Sequence, residues 1–568
     1  MFAQTKDFST YFEKSGYKET PHYDATISYC KLLDQASDWV KYSSFGISPQ
    51  GREMPLLIID KNGNFTPESI RKSGNIILLI QAAVHAGEPD GKDAGLLLFR
   101  DIAINKKKIE LLDHVTILFI PIFNVDGHER FGKYNRINQN GPTEMGWRTT
   151  ANNLNLNRDY LKADAIEMKY WLEMFNRFMP DFFIDCHTTD GADYQYVLTY
   201  GIETDGNVDE ALIKWQKENY LAPITKLMFQ QGLPILPYVT FRNWHDPRSG
   251  LISNVAPPML SQGYTIERNR PGLLIETHML KTYKIRVEST YKMIENTLNI
   301  LNIENKNLHI LIAEADKKTA SENFRKKNFA INFETSEKDS TWIDFLGVEY
   351  ISEKSDVSGG EWFKYDNTKS ITFKIPYFNK TEATESTMLP KSYIIPPEWN
   401  EVINILKLHG IAMKTISKPL KVNVHSYKFN HPKWSSTPYE SRLPLTDFDM
   451  DSIEEERTYP IGSVIIDMNQ PGARIIAYLL EPKANSSLVF WGFFNSVFEQ
   501  KEYAESYVME AMAREMLAKD ANLKKEFEQK KLSESEFAKN PRAILNWFYS
   551  KTDYWDKHLN VYPIGKIF

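Results

Sequence analysis

The feature that most constrains this chain is a set of short, unbroken apolar runs, each ending in polar groups. Ile76-Ile77-Leu78-Leu79-Ile80 leads through Gln81-Ala82-Ala83 into His85-Ala86-Gly87-Glu88-Pro89-Asp90-Gly91. Val115 to Pro121 leads into Asn124-Val125-Asp126-Gly127-His128. Asp181-Phe182-Phe183-Ile184-Asp185-Cys186 stops at His187, and Gly272-Leu273-Leu274-Ile275 stops at Glu276-Thr277-His278. Runs of this length without alternation read as strands buried on both faces. Helical stretches separate them: 93–104, 165–178, 210–231 with a break at Pro223, and 286–303. Strands alternating with helices make an α/β domain with a parallel or mixed sheet. Such sheets bind ligands beyond the carboxyl ends of their strands, where these polar groups fall.

The first run carries the sharpest signal. Gly87, Pro89 and Gly91 force a turn, and Asp90 is expected to cap the helix that follows. His85 and Glu88 stand two residues apart in that turn and can share one cation. Zinc suits nitrogen and oxygen donors, and a catalytic zinc takes three protein ligands. His187 is the expected third ligand, with His128 and His278 as rivals, and Asp185 on the same strand is placed to orient a ligand. Glu276 puts a carboxylate into an apolar strand, which is costly unless the group is paired or functional. Near a metal it can move protons; otherwise it pairs with a basic loop residue. The aperiodic loop 132–158 supplies such residues in Trp147-Arg148 and Asn155-Leu156-Asn157-Arg158-Asp159. Arg148 can stabilise an oxyanion, and Asn157 with Arg158 can grip a carboxylate; each alone also fits a solvated loop with Asx turns.

Taken in chain order, His85-x-x-Glu88, Trp147-Arg148, Asn157-Arg158-Asp159, His187 and Glu276 resemble the zinc metallocarboxypeptidases of the carboxypeptidase A/B type. The resemblance covers residues 20–305 and is to the bacterial type with a C-terminal extension. It implies a mixed, mostly parallel eight-stranded sheet flanked by helices, with one zinc per chain held by His85, Glu88 and His187. It implies Glu276 as general base and acid and Arg148 as the group polarising the scissile carbonyl. Asn157 and Arg158 would bind the C-terminal carboxylate of a peptide or protein. Tyr264 is the candidate for the mobile tyrosine of that family. Arg268 or Arg270 is expected to line the side-chain pocket and favour acidic C-terminal residues. The alternatives are an amidase or deacylase, or a cell-wall peptide hydrolase, on the same fold, and an inactive binding module.

Past residue 310 the pattern changes. A charged helix at 311–328 leads into short alternating runs, then a helix at 398–409, then helices at 502–519, 523–530 and 540–549. This divides the chain into a catalytic domain at 20–310, a β-rich accessory domain at 325–485 and a helical segment at 486–568. A net charge of −6 without a basic block argues against a nucleic-acid partner. No apolar run approaches a membrane span. Two cysteines make no disulfide framework. Met1-Phe2-Ala3-Gln4 resembles the end of a processed secretory signal, which gives the expectation of a periplasmic or secreted protein, with a cytoplasmic start as the alternative. No feature of the sequence specifies an oligomeric state.

Overall fold

The apolar runs form the centre of a mixed sheet in the structure, a computed structural model that describes residues 7–568. Met1–Gln4 lie outside the described residues. The first nine strands are β1 (Val40–Ile47), β2 (Glu53–Ile59), β3 (Ile76–Ala82), β4 (Val115–Ile120), β5 (Phe182–Thr189), β6 (Leu198–Gly201), β7 (Ile235–Pro237), β8 (Leu251–Ile252) and β9 (Gly272–His278). Eight of them make one sheet in the order β1-β2-β4-β3-β5-β9-β6-β7. The central strands β4, β3, β5 and β9 are parallel. β1, β2 and β6 run against their neighbours toward the edges, and β7 is parallel to β6.

Strand alternation sorts the two faces. Ile77, Leu79 and Phe183 pack with Met168, Trp171 and Phe175 of the helix Ile166–Phe178. Leu78, Ile80 and Ile184 pack with Leu98 and Phe99 of the helix Asp90–Ala103 and with Met293 and Leu298 of the helix Tyr283–Thr319. Residues buried on both sides keep the register fixed, because a slip by one would exchange the two cores. Gly91 lets the first of these helices approach β5: a Cβ there would lie 2.3 Å from Cys186 Cβ. The break foreseen at Pro223 is a π-helical turn, Gln216–Leu221, which absorbs the missing N–H and widens the helix just ahead of the proline.

Three boundaries differ from the sequence reading. The helices expected at 286–303 and 311–328 are one helix of 37 residues, Tyr283–Thr319, so residue 310 falls inside it. Leu308, Ile312, Ala315 and Thr319 continue its buried stripe, which the surrounding charges mask in the sequence. Within the stretch read as β-rich, Ala473–Leu480 is a fully buried helix whose uniform apolarity hides its period. The accessory strands are β10 (Asn328–Thr335), β11 (Thr341–Lys354), β12 (Glu361–Phe378), β13 (Thr381–Met388), β14 (Ser392–Ile395), β15 (Lys414–Thr415), β16 (Leu420–Trp434), β17 (Leu445–Tyr459), β18 (Val464–Asp467) and β19 (Gly565–Ile567). β19 inserts between β14 and β16, so the chain end belongs to the accessory sheet, while the helices between Ser506 and Tyr549 pack around a core of their own that includes Met509, Phe527 and Phe548. The accessory core also runs into the Ile77–Leu79 face: Ile395, Leu406, Trp491 and Tyr562 share one cluster with Trp171 and Phe183. Among the described residues no helix is long and apolar enough to cross a membrane.

Candidate active site

The turn after β3 brings His85 and Glu88 back toward the end of β5. Its closure is a hydrogen bond from Glu88 N to His85 O at 2.9 Å. Glu88 Oε1 lies 3.1 Å from His85 Nδ1, and Oε2 lies 2.9 Å from His187 Nδ1. The two Nδ1 atoms are 3.2 Å apart, too close for both to carry a proton between them. All three side chains are buried, and their donor atoms lie within 4.8 Å of one another. Two imidazole nitrogens and a carboxylate converging on one point are a donor set that fits zinc.

Electrostatics favours the ligand forms of His85 and Glu88, whereas at His187 the lowering by burial is outweighed by Asp185 and Glu88, which raise its ring well above the usual histidine range. Burial pushes His85 down to about 4, so its ring is neutral at pH 7. Burial alone would raise Glu88, but His85, Arg136 and His187 outweigh it and hold the carboxyl well below its usual range. The far ring nitrogens are held by neighbours: His85 Nε2 is 3.1 Å from Asn155 Oδ1, and His187 Nε2 is 2.9 Å from Asp185 Oδ2. The acceptor at His85 Nε2 leaves its Nδ1 lone pair for a metal, while Asp185 stands at ion-pair distance from His187 Nε2 without a hydrogen bond.

Asp90 does not cap its helix. Pro89 is the N-cap, and no side chain bonds there. Asp90 Oδ2 instead accepts from Thr188 Oγ1 at 2.7 Å, Thr277 Oγ1 at 2.7 Å and Arg286 Nε at 3.0 Å. Those threonines follow His187 and Glu276, so one buried carboxylate ties the two strand ends that carry them. Glu276 pairs with His187 across the β5–β9 ladder and is 9% exposed. Burial raises its carboxyl to about 8; His187 opposes the shift, and Glu88 and Asp185 add to it.

His85, Arg148, Asn157, Arg158 and Glu276 line one cleft of about 530 Å³. Arg148 Nη1 is 3.6 Å from Glu88 Oε1, with the side chain 45% exposed. Asn157 Oδ1 accepts from Ser261 N at 3.2 Å, and Arg158 Nη1 donates to the Asn157 carbonyl at 2.6 Å. Two participants carry no sequence signal. Arg136 has a buried side chain with Nη1 2.9 Å from Glu88 Oε1, and Tyr238 lines the cleft with its hydroxyl 3.2 Å from Thr189 Oγ1.

Tyr264 and Arg268 are not in the cleft. Every residue of their helix, Ser261–Glu267, is buried, and its Tyr264 face turns to the Ile166–Phe178 helix. Tyr264 Oη meets His409 Nδ1 at 3.0 Å, and Arg268 Nη1 donates to the His409 carbonyl at 2.8 Å. Arg270 forks onto Asp316 at 3.1 and 2.9 Å. The rival histidines are also engaged elsewhere. His128 Nε2 faces Lys92 Nζ at 2.9 Å, and His278 Nε2 faces the Ala192 carbonyl at 2.8 Å.

The fold and this donor set define an α/β domain with a candidate metal centre, and comparison with known proteins adds what the chain is similar to. Residues 26–180 match the family described as zinc carboxypeptidase. His187 and Glu276 lie beyond the matched segment. The chain is 22% identical over 493 residues to carboxypeptidase 2 of Trichophyton rubrum, covering 83% of this chain and 84% of that protein. It is also 22% identical over 492 residues to carboxypeptidase 2 of Trichophyton equinum, with the same coverage of 83% and 84%. Matches of that length extend into the C-terminal half. A metallo-carboxypeptidase structure from Burkholderia cenocepacia aligns with 50% of this chain and 69% of its own, at 17% identity and a TM-score of 0.37.

Proposed function

We propose that the protein is a zinc-dependent metallocarboxypeptidase that removes single residues from peptide C-termini. One observation carries the reading. The carboxylate-gripping pair Asn157 and Arg158 opens onto the same cleft as His85 and Glu276. Zinc, held by His85, Glu88 and His187, would supply Lewis acidity toward the carbonyl and toward water. Asn157 and Arg158 hold the terminal carboxylate and so set which peptide bond reaches the reacting centre. Arg148 donates to the carbonyl oxygen as negative charge develops there. Glu276 takes the proton from the attacking water and delivers it to the leaving amine nitrogen. An amidase has no use for the carboxylate grip, and a silent binding module has no use for Glu276.

The grip is tested with Arg158→Ala on paired peptides with free and amidated C-termini. The wild type is expected to cleave only the free acid. The variant is expected to show a KM raised about tenfold or more, the loss of one charge-assisted hydrogen bond. Equal cleavage of the amidated peptide would remove the exopeptidase reading.

The cleft also argues about side-chain preference. With Arg268 and Arg270 elsewhere, the charged groups lining it are Glu203, Asp205 and Lys217 beside the arginines of the site. Burial raises the Glu203 carboxyl to about 7. It becomes anionic only above that pH, so preference for Lys or Arg at the C-terminus should grow as pH rises through 7. Glu203→Gln is expected to flatten that rise and cost basic residues about tenfold in kcat/KM, with Phe release little changed. A pH-independent preference shared by both proteins would contradict the assignment.

A further inference from the structure

We propose that the C-terminal domain completes the active site. Tyr439 and Glu440, at the tip of its long hairpin, act as positioning residues for the carboxylate grip and for His85. The inference rests on the reading of Asn157 and Arg158 as the grip and of His85 as a metal ligand.

The hairpin strands β16 and β17 are joined by residues 435–444, and the tip closes as a two-residue turn. Tyr439 N donates to the Arg442 carbonyl at 2.8 Å, and Arg442 N to the Tyr439 carbonyl at 3.0 Å. The central residues Glu440 and Ser441 have φ of +48° and +66°. Hairpins ordinarily give both positions of such a turn to Asn or Gly. Here a glutamate and a serine hold a conformation that L side chains disfavour, and such strain persists where the surroundings over-determine it.

The surroundings are the active site. Tyr439 Oη accepts from Arg158 Nε at 3.2 Å, and Glu440 Oε2 accepts from Asn155 N at 3.0 Å. Arg158 also donates through Nη1 to the Asn157 carbonyl at 2.6 Å. Two of its three guanidinium nitrogens are therefore engaged by protein, which fixes the plane of the group at the cleft wall. Asn155 is the junction: its Oδ1 faces His85 Nε2 at 3.1 Å and accepts from Asn157 N at 3.0 Å. A backbone held by Glu440 thus holds one metal ligand and one half of the grip together. The tip is itself anchored. Arg442 forks onto Asp164 at 2.6 and 3.1 Å and lies 3.7 Å over the Phe493 ring, while Tyr439 stacks on Trp491 at 5.8 Å.

The test uses the zinc-loaded full chain and an N-blocked tripeptide with a free C-terminus. Tyr439→Phe keeps the ring and removes the acceptor, so KM is expected to rise about fivefold with kcat within about twofold. Glu440→Gly removes the carboxylate and suits the left-handed turn, which protects folding. It is expected to raise KM and to speed zinc transfer to the chelator 4-(2-pyridylazo)resorcinol by about threefold or more, with an unchanged thermal midpoint. Glu440→Gln, which keeps an acceptor oxygen, should restore slow zinc transfer. Unchanged KM in Tyr439→Phe and unchanged zinc transfer in Glu440→Gly would overturn the proposal. Arg158→Ala separates the two readings. If it raises KM while Tyr439→Phe does not, the grip stands and the Tyr439 role falls. If it leaves KM unchanged, the grip fails and takes the Tyr439 role with it, while zinc transfer still decides the Glu440 role.

Discussion

Glu276→Gln is expected to lower kcat by about 10³-fold while the protein still binds zinc. The substitution preserves shape and leaves the three candidate ligands in place. It removes the one carboxylate that faces the cleft from β9 beside His187. A loss of that size is about 4 kcal/mol of transition-state stabilisation, within what positioned proton transfer supplies. The pH profile gives a second readout. A base works ionised, so wild-type kcat/KM should fall as pH drops through the Glu276 pKa. That pKa is about 8 without metal, and a bound dication would pull it down. The variant should lack this acidic limb. Stability of the metal-free protein should move the opposite way. A carboxyl whose folded pKa is raised contributes stability below its usual 4.5 and loses it as pH climbs through about 8. Metal-free Glu276→Gln should therefore gain on the wild type as the medium becomes alkaline. Unaltered turnover in Glu276→Gln would remove the residue from the chemistry.

The second large effect concerns the ligands. His187→Ala is expected to abolish stoichiometric zinc binding and reduce turnover to background, and chelation of the wild type should do the same. Each ligand supports the others here: Glu88 has one oxygen at each imidazole, so loss of His187 leaves a buried carboxylate short of one partner. The chelated protein should also melt several degrees lower, because a cation bound only by the native state adds about 4 kcal/mol at a thousandfold excess over its Kd. Zinc added back should restore both properties to the wild type and neither to His187→Ala. Full activity after exhaustive chelation would exclude a metal-dependent reaction.

Much of the site was legible because its residues end strands that are buried on both faces. Such strands are the least ambiguous elements in a sequence, and the polar group closing each one stands out. His85, Glu88, His187 and Glu276 were singled out that way, and the structure brings them together. Asp185 was read as an orienting carboxylate, and it stands at His187 Nε2. Residues held by loops were not legible in the same way. Arg136 and Tyr238 reach the cleft from segments without periodicity, and Asn155 was one asparagine among several. Tyr264 shows the opposite failure. Its place ahead of Glu276 in the chain pointed to the cleft, but a helix buried all round turns its tyrosine toward Trp171 and His409. The last strand escaped notice for a related reason, since β19 joins the accessory sheet from the chain end. Contacts between Tyr439 and Arg158, 281 residues apart, leave no local trace in either segment.

The most direct test of the central claim is mass spectrometry of a peptide library with randomised C-termini, incubated with the zinc-loaded protein beside Glu276→Gln. The account predicts ladders shortened one residue at a time from the C-terminus, absent in the variant, with basic ends favoured above pH 7. Internal cleavage, or identical ladders from Glu276→Gln, would contradict it.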